Sequence, residues 1–153
     1  MAARRNKSKK QSAGSGQSPW LPEEFVLYLD ENLCNAKAIL AVLSRLGVKH
    51  ERHLSHFPRG TPDEVWLPKV GREKWALLTA DKRIRYNLLE KKAPAEHNVM
   101  EFVFASGNLS GDEMGKALEK ALPKMKRLAA RTRPPFVAAI TRLGEVHLRW
   151  FQE

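Results

Sequence analysis

Phe25-Val26-Leu27-Tyr28-Leu29-Asp30-Glu31-Asn32 is an unbroken apolar run that stops on two carboxylates and an amide. A short run of that kind reads as a buried strand, and its polar ending places acids at the strand's carboxyl end. In open α/β sheets that edge is where ligands and metals bind. A second run, Trp75-Ala76-Leu77-Leu78-Thr79, ends the same way, in Ala80-Asp81. Two buried strands delivering aspartates to one rim predict an acidic, metal-loaded site.

Outward from these strands, helices and strands alternate. Ala36, Ile39, Leu40, Val42, Leu43 and Leu46 recur at helical spacing, and Gly47 predicts the helix end. Val48 to Arg52 reads as a weaker strand. After the loop from His53 to Gly60, Thr61-Pro62-Asp63-Glu64 has the pattern of a helix start, with Thr61 as N-cap and Glu64 as its reciprocal partner. That helix carries Val65, Trp66 and Val70 and is expected to end near Gly71. A further helix is expected from Lys82 to Lys91, then a strand from Val99 to Phe104.

Ser110-Gly111-Asp112-Glu113 offers a second capping box ahead of a long apolar face from Met114 to Leu128. Pro123 inside that pattern predicts a kink or a division. Phe136 to Ile140 and Glu145 to Trp150 flank Thr141-Arg142-Leu143-Gly144 as a C-terminal hairpin on the sheet edge. The alternation implies a largely parallel sheet covered on both faces.

Lys and Arg number 27 against 17 Asp and Glu in 153 residues, a formal net charge of +10. Such an excess favours a polyanionic partner, nucleic acid above all. Residues 1–22 are expected to form a disordered basic arm carrying Arg4, Arg5, Lys7, Lys9 and Lys10, with residues 23–153 as the folded domain. The arm's composition also suits a solubilising tail or an organelle-targeting leader. The one cysteine, Cys34, cannot form an internal disulfide and suits a reducing interior. No apolar run is long enough to span a bilayer, and a cytoplasmic location is expected.

Asp30, Asp63 and Asp81 each stand where a loop leaves or meets an element. Singly, each has a structural explanation as a helix cap or a first-turn acid, worth ~0.3–1 kcal/mol. Converging on one rim they repel, and the usual compensation is a divalent cation.

Leu29-Asp30-Glu31-Asn32-Leu33, Gly60-Thr61-Pro62-Asp63-Glu64-Val65-Trp66 and Leu77-Leu78-Thr79-Ala80-Asp81-Lys82 together resemble the PIN-like nucleases. The nearest resemblance is to the subgroup with an LDEN first motif, which includes VapC-type toxins of toxin–antitoxin pairs. The resemblance implies a three-layer α/β/α PIN-like sandwich with a mainly parallel central sheet and a C-terminal hairpin. It implies Mg²⁺ or Mn²⁺ as cofactor, RNA as substrate, a small antitoxin protein as partner, and homodimerisation as a further expectation. Carried over by position, Asp30, Asp63 and Asp81 are the expected catalytic metal ligands. Glu31, Asn32, Glu64 and Thr79 are supporting residues, Glu64 competing with Asp63 for the middle acid. Many family members carry another acid two residues after the position of Asp81, where this chain has Arg83.

The expected chemistry is in-line attack of water on a phosphodiester, aided by a carboxylate-held divalent cation. The sequence shows no Ser-His or Cys-His pairing that would argue for a side-chain nucleophile. Arg83 and Arg85 are placed to steady phosphates. Lys116, Lys120, Lys124, Arg127 and Arg131 share one helix face, read either as a solvated surface or as an RNA track. His50, His53 and His56 lie three apart on a strand-to-loop segment, where such spacing does not converge on zinc. Two rivals remain: a non-catalytic nucleic-acid-binding module on the same scaffold, and a receiver-like signalling domain, against which the basic surface argues.

Overall fold

The structure is a computed structural model that describes residues 20, 24–80 and 97–151, Trp150 by its backbone alone. The basic arm, apart from Trp20, and the expected helix at 82–91 lie outside the described residues.

Strand β1 (Val26–Leu29) is buried throughout, as its apolar run requires. Helix α1 (Lys37–Arg45) buries Ile39, Val42 and Leu43, and Gly47 at φ 67 turns the chain back into strand β2 (Lys49–Arg52). Strand β2 is an edge, and its exposed Lys49 and Arg52 discourage pairing with another chain. A single 3-10 turn (His53–Ser55) leads towards helix α2 (Asp63–Glu73), followed by strand β3 (Ala76–Thr79). Strand β4 (Met100–Phe104), helix α3 (Gly111–Arg131) and the hairpin of β5 (Phe136–Ile140) and β6 (Val146–Phe151) complete the described elements.

The sheet order is β2-β1-β3-β4-β5-β6. Every pair is parallel except β5 with β6, which is antiparallel and bulged between Val137 and Ala138. In the register, Leu29 stands opposite Arg52 on one side and Leu78 on the other. The larger core lies on the α1 and α3 face, where Leu27, Leu29, Leu78 and Phe102 meet Ile39, Leu43, Leu118 and Leu122. The α2 face holds a smaller core of Tyr28, Trp66, Leu67, Val70, Leu77 and Val99. Tyr28 stacks on Trp66 and on Trp75 at ring-centroid distances of 5.7 and 5.6 Å. This is the α/β/α sandwich expected from the alternation.

Two local expectations changed. The Thr61 hydroxyl donates to the Pro58 carbonyl at 2.7 Å instead of capping α2, whose N-cap is Pro62 without a side-chain bond. Glu64 therefore is not tied to Thr61, and that reason for preferring Asp63 over it falls away. Helix α2 ends close to Gly71 as expected, at Glu73, and closes on Lys74 in the left-handed region at φ 61. A Cβ at Gly71 would stand 1.8 Å from the His97 carbonyl oxygen, so the glycine serves a close approach between segments. Helix α3 is not divided at Pro123. That residue is exposed, where the Glu119 carbonyl left without its helical donor faces water. The Ser110 box forms as expected, with Glu113 N–H donating to Ser110 Oγ at 3.1 Å and Ser110 N–H to Glu113 Oε1 at 2.9 Å.

Candidate active site

β1 and β3 are neighbours, and the next strand after β1 lies on one side of the pair while the next described strand after β3 lies on the other, so their carboxyl ends flank a topological switch point. Asp30 is the first residue past β1 and is only 2 % exposed. The chain turns at once, and the Asp30 carbonyl accepts from Leu33 N–H at 3.1 Å and Cys34 N–H at 2.9 Å. Its carboxylate closes the same turn, Oδ1 accepting from Asn32 N–H at 3.1 Å and Leu33 N–H at 3.0 Å. Oδ2 accepts from the Thr79 hydroxyl at 2.5 Å, which ties the ends of β1 and β3 together. Donors on both oxygens fix the carboxylate's orientation, as outer-shell partners do for metal ligands.

Glu31 points elsewhere. Its Oε1 accepts from Gly60 N–H at 2.9 Å, and Oε2 lies 3.8 Å from Arg59 Nη1, so the turn after β1 holds the loop before α2. Oε1 also stands 3.9 Å from Nε2 of His53. Asp63, half-buried, opens α2. The charges of Glu31 and Asp63 both favour protonated His53, yet burial outweighs them and lowers its pKa below the ordinary 6.5. His53 is 1 % exposed, and its Nδ1 shares a 2.6 Å hydrogen bond with the Tyr28 hydroxyl. Burial, and next to it the charge of Asp30, raises the Tyr28 pKa, so both partners of that bond are neutral near pH 7.

The structure thus brings Asp30 to Thr79 and gathers Glu31 and Asp63 around His53. Asn32 and Glu64 are exposed. Asp81, Arg83 and Arg85 lie outside the described residues. Among the described residues, no three His, Cys, Asp or Glu side chains stand close enough to hold a metal ion. In kind, the oxygen donors Asp30 and Asp63 suit a hard divalent cation. The three histidines go separate ways: His50 bonds the Val48 carbonyl, His56 bonds Glu51, and His53 bonds Tyr28. On α3, Lys116, Lys120, Lys124, Arg127 and Arg131 are all exposed, as a shared outer face requires.

His53 and Tyr28 are the members of this edge that the motifs did not point to. The signal was the register: Leu29 opposite Arg52 puts the next residues, Asp30 and His53, at the same level of the sheet.

A model of the family described as PIN like domain matches residues 25–106, more than half of the chain. The chain belongs to the PIN-like domain family. The matched span covers β1 to β4 and so includes both strand ends joined by Asp30 and Thr79. PIN-like domains are generally nucleases. Comparison of this PIN-like chain with curated proteins and with solved structures found no match. No helix among the described residues is long and apolar enough to cross a membrane.

Proposed function

We propose that this PIN-like protein is a metal-dependent endoribonuclease, acting as the toxin of a toxin–antitoxin pair. The observation that carries the reading is the Asp30 carboxylate, buried at the switch point and aimed by the Asn32 and Leu33 amides and the Thr79 hydroxyl. Asp30, Asp63 and Asp81 would hold Mg²⁺ or Mn²⁺. When bound, that cation supplies Lewis acidity to a phosphate oxygen and lowers the pKa of water.

The chain's own residues bind and orient. Thr79 and the turn amides keep Asp30 from rotating, while the Gly60 amide holds Glu31 against the loop before α2. Asn32, exposed at the same turn, and Glu64, exposed at the start of α2, are within the motifs that would contact substrate. Arg83 and Arg85 would steady phosphates flanking the scissile bond, and the exposed cations of α3 would track the strand. RNA is favoured as substrate by the net charge of +10 and by the resemblance to LDEN-type PIN-like proteins. A small antitoxin would act by covering the acidic edge.

Purified protein incubated with structured and unstructured RNA in Mg²⁺, Mn²⁺ or chelator tests the reading. Cleavage that needs the cation and is lost in Asp30→Asn and Asp63→Asn supports it; unchanged cleavage in both variants overturns the assigned roles. Growth arrest relieved by co-expression of a neighbouring small reading frame tests the toxin assignment. Arg83, standing where many family members have an acid, favours one alternative: a non-catalytic nucleic-acid-binding module, which would bind Mn²⁺ and RNA without cutting.

A further inference from the structure

At the opposite edge of the sheet, where β3, β4 and β5 begin, two adjoining cavities of about 200 and 250 Å³ share Gly71 and Asn98. Lys74 and Arg133 line one, Arg72 and His97 the other, and among the described residues no Asp or Glu lines either. We propose that this cleft is a phosphate-binding subsite for a nucleic-acid strand, separate from the acidic edge. The identity of the ligand rests on the nuclease reading; the existence of an anion site does not.

Several arginines elsewhere on the surface are ion-paired. Arg45 pairs with Glu119, Arg59 with Glu31 and Arg142 with Glu113. Among the described residues, neither Arg72 nor Arg133 has an ion-paired or hydrogen-bonded side-chain partner. Cations at helix C-termini have a structural explanation, because α2 and α3 both end at this cleft and each end carries about half a negative charge. Two ends sum to about −1, against +2 for Arg72 and Arg133 alone.

The helix ends are also partly quenched. Gly71 and Val70 carbonyls accept from Lys74 and Trp75 N–H, Leu128 from Thr132 N–H, and Ala129 from the Trp20 indole at 2.8 Å. A positive surplus therefore remains on Arg72 and Arg133. Gly71 lets the last turns of α2 lie against His97, which brings the two cavities together. The Trp20 indole, held to the end of α3, supplies an aromatic wall suited to a base or ribose.

Helix α3 connects the two edges. It begins beyond the carboxyl end of β4 and ends before the amino end of β5, a span of about 30 Å for a helix of this length. Its exposed Lys116, Lys120, Lys124, Arg127 and Arg131 mark a path along which one strand can reach both the acidic edge and the cleft.

The test is binding of a fluorescently labelled single-stranded RNA to the full chain in chelator, where no metal-dependent cleavage occurs. The double variant Arg72→Gln/Arg133→Gln is compared with Lys37→Gln/Arg149→Gln, which removes the same charge elsewhere, and circular dichroism verifies folding of both. The cleft pair should weaken binding at least tenfold and lower the slope of log K against log salt by about 1.4, at ~0.7 per phosphate contact on a single strand. The control pair should weaken it less than twofold. Equal losses from both pairs, or no loss from the cleft pair, overturn the proposal. Inorganic phosphate should shift the His97 ring resonances in the wild type and not in the cleft variant. A cleft that answers phosphate but whose loss leaves RNA binding unchanged overturns the strand as its ligand. A chain that binds RNA through the cleft yet never cuts it refutes the nuclease reading and leaves the cleft standing.

Discussion

Replacing Asp30 by asparagine separates the charge at the switch point from the hydrogen bonds that hold it. The asparagine oxygen can keep the Asn32 and Leu33 amides, and its NH₂ can donate to the Thr79 oxygen, since a hydroxyl both donates and accepts. Bonds to a charged acceptor are worth about 1 kcal/mol more than neutral ones. The loss summed over three bonds is therefore at most ~3 kcal/mol, offset by no longer burying a charge in a residue 2 % exposed. Asp30→Asn should stay within about 1 kcal/mol of the wild type, or ~2–4 °C in Tm for a chain of this size.

Alanine at the same position removes the acceptors altogether. Leu33 N–H keeps the Asp30 carbonyl at 3.1 Å, so the groups deprived are Asn32 N–H, which can reach water, and the fully buried Thr79 hydroxyl. At ~1–3 kcal/mol for a buried group that loses a partner and less for an exposed one, the cost is ~2–4 kcal/mol. Both variants should lose metal-dependent RNA cleavage by at least about 100-fold. Thr79→Val, which only frees the carboxylate to rotate, should lose ~10–100-fold. Thermal melts and single-turnover cleavage with and without Mg²⁺ read both axes. An Asp30→Asn protein that melts like the wild type and still cuts at its rate would refute the role given to the charge. One that melts as early as Asp30→Ala would refute the hydrogen-bond accounting.

Ser110→Ala should cost about 1 kcal/mol by removing the capping box of α3, seen as a lower denaturation midpoint at unchanged slope. Gly71→Ala should destabilise by at least ~1–3 kcal/mol through the clash at His97, whereas Gly111→Ala, with open space around its Cβ, should not. His53 has a folded pKa below its unfolded 6.5, so between those values the unfolded chain holds the extra proton. Stability associated with His53 is complete above pH 6.5 and falls on acidification below it, and melts of His53→Gln should show a shallower decline than the wild type. Lys116→Gln/Lys120→Gln/Arg127→Gln should weaken RNA binding and flatten its salt slope by about 2, at ~0.7 per contact; an unchanged slope would assign that face to solvent.

The strands were legible because β1, β3 and β4 are buried on both faces and their apolar runs have no other use. The hairpin was legible through Gly144, whose φ of 82 turns β5 into β6. What escaped depends on neighbours far away in the chain. Thr61 has a cap's composition, but the Pro58 carbonyl three residues earlier captures its hydroxyl. Gly71 resembles a helix stop, and only the approach of residue 97 shows why glycine stands there. Asp30 was legible as the polar end of a buried strand, while the Tyr28–His53 bond spans 25 residues and follows from pairing β1 with β2.

One parity places the candidate site. Leu27 and Leu29 face α1 and α3, and Tyr28 faces α2. By strand alternation Asp30 shares the side of Tyr28, just as Thr79 shares that of Leu77, and the 2.5 Å bond between them joins two side chains of the same face. The backbone beyond Asp30 departs towards α1, so the carboxylate remains at the crevice while its own loop leaves it. Asp63 then enters from the α2 side, at the start of the helix that covers Tyr28. A one-residue slip in the apolar run would turn Asp30 into the larger core, where Leu33 and Cys34 pack, and bury a charge without the Thr79 hydroxyl. The same alternation that builds β1 into the sheet therefore selects which face receives the acid, and the fold and the candidate chemistry stand or fall on the register of four residues.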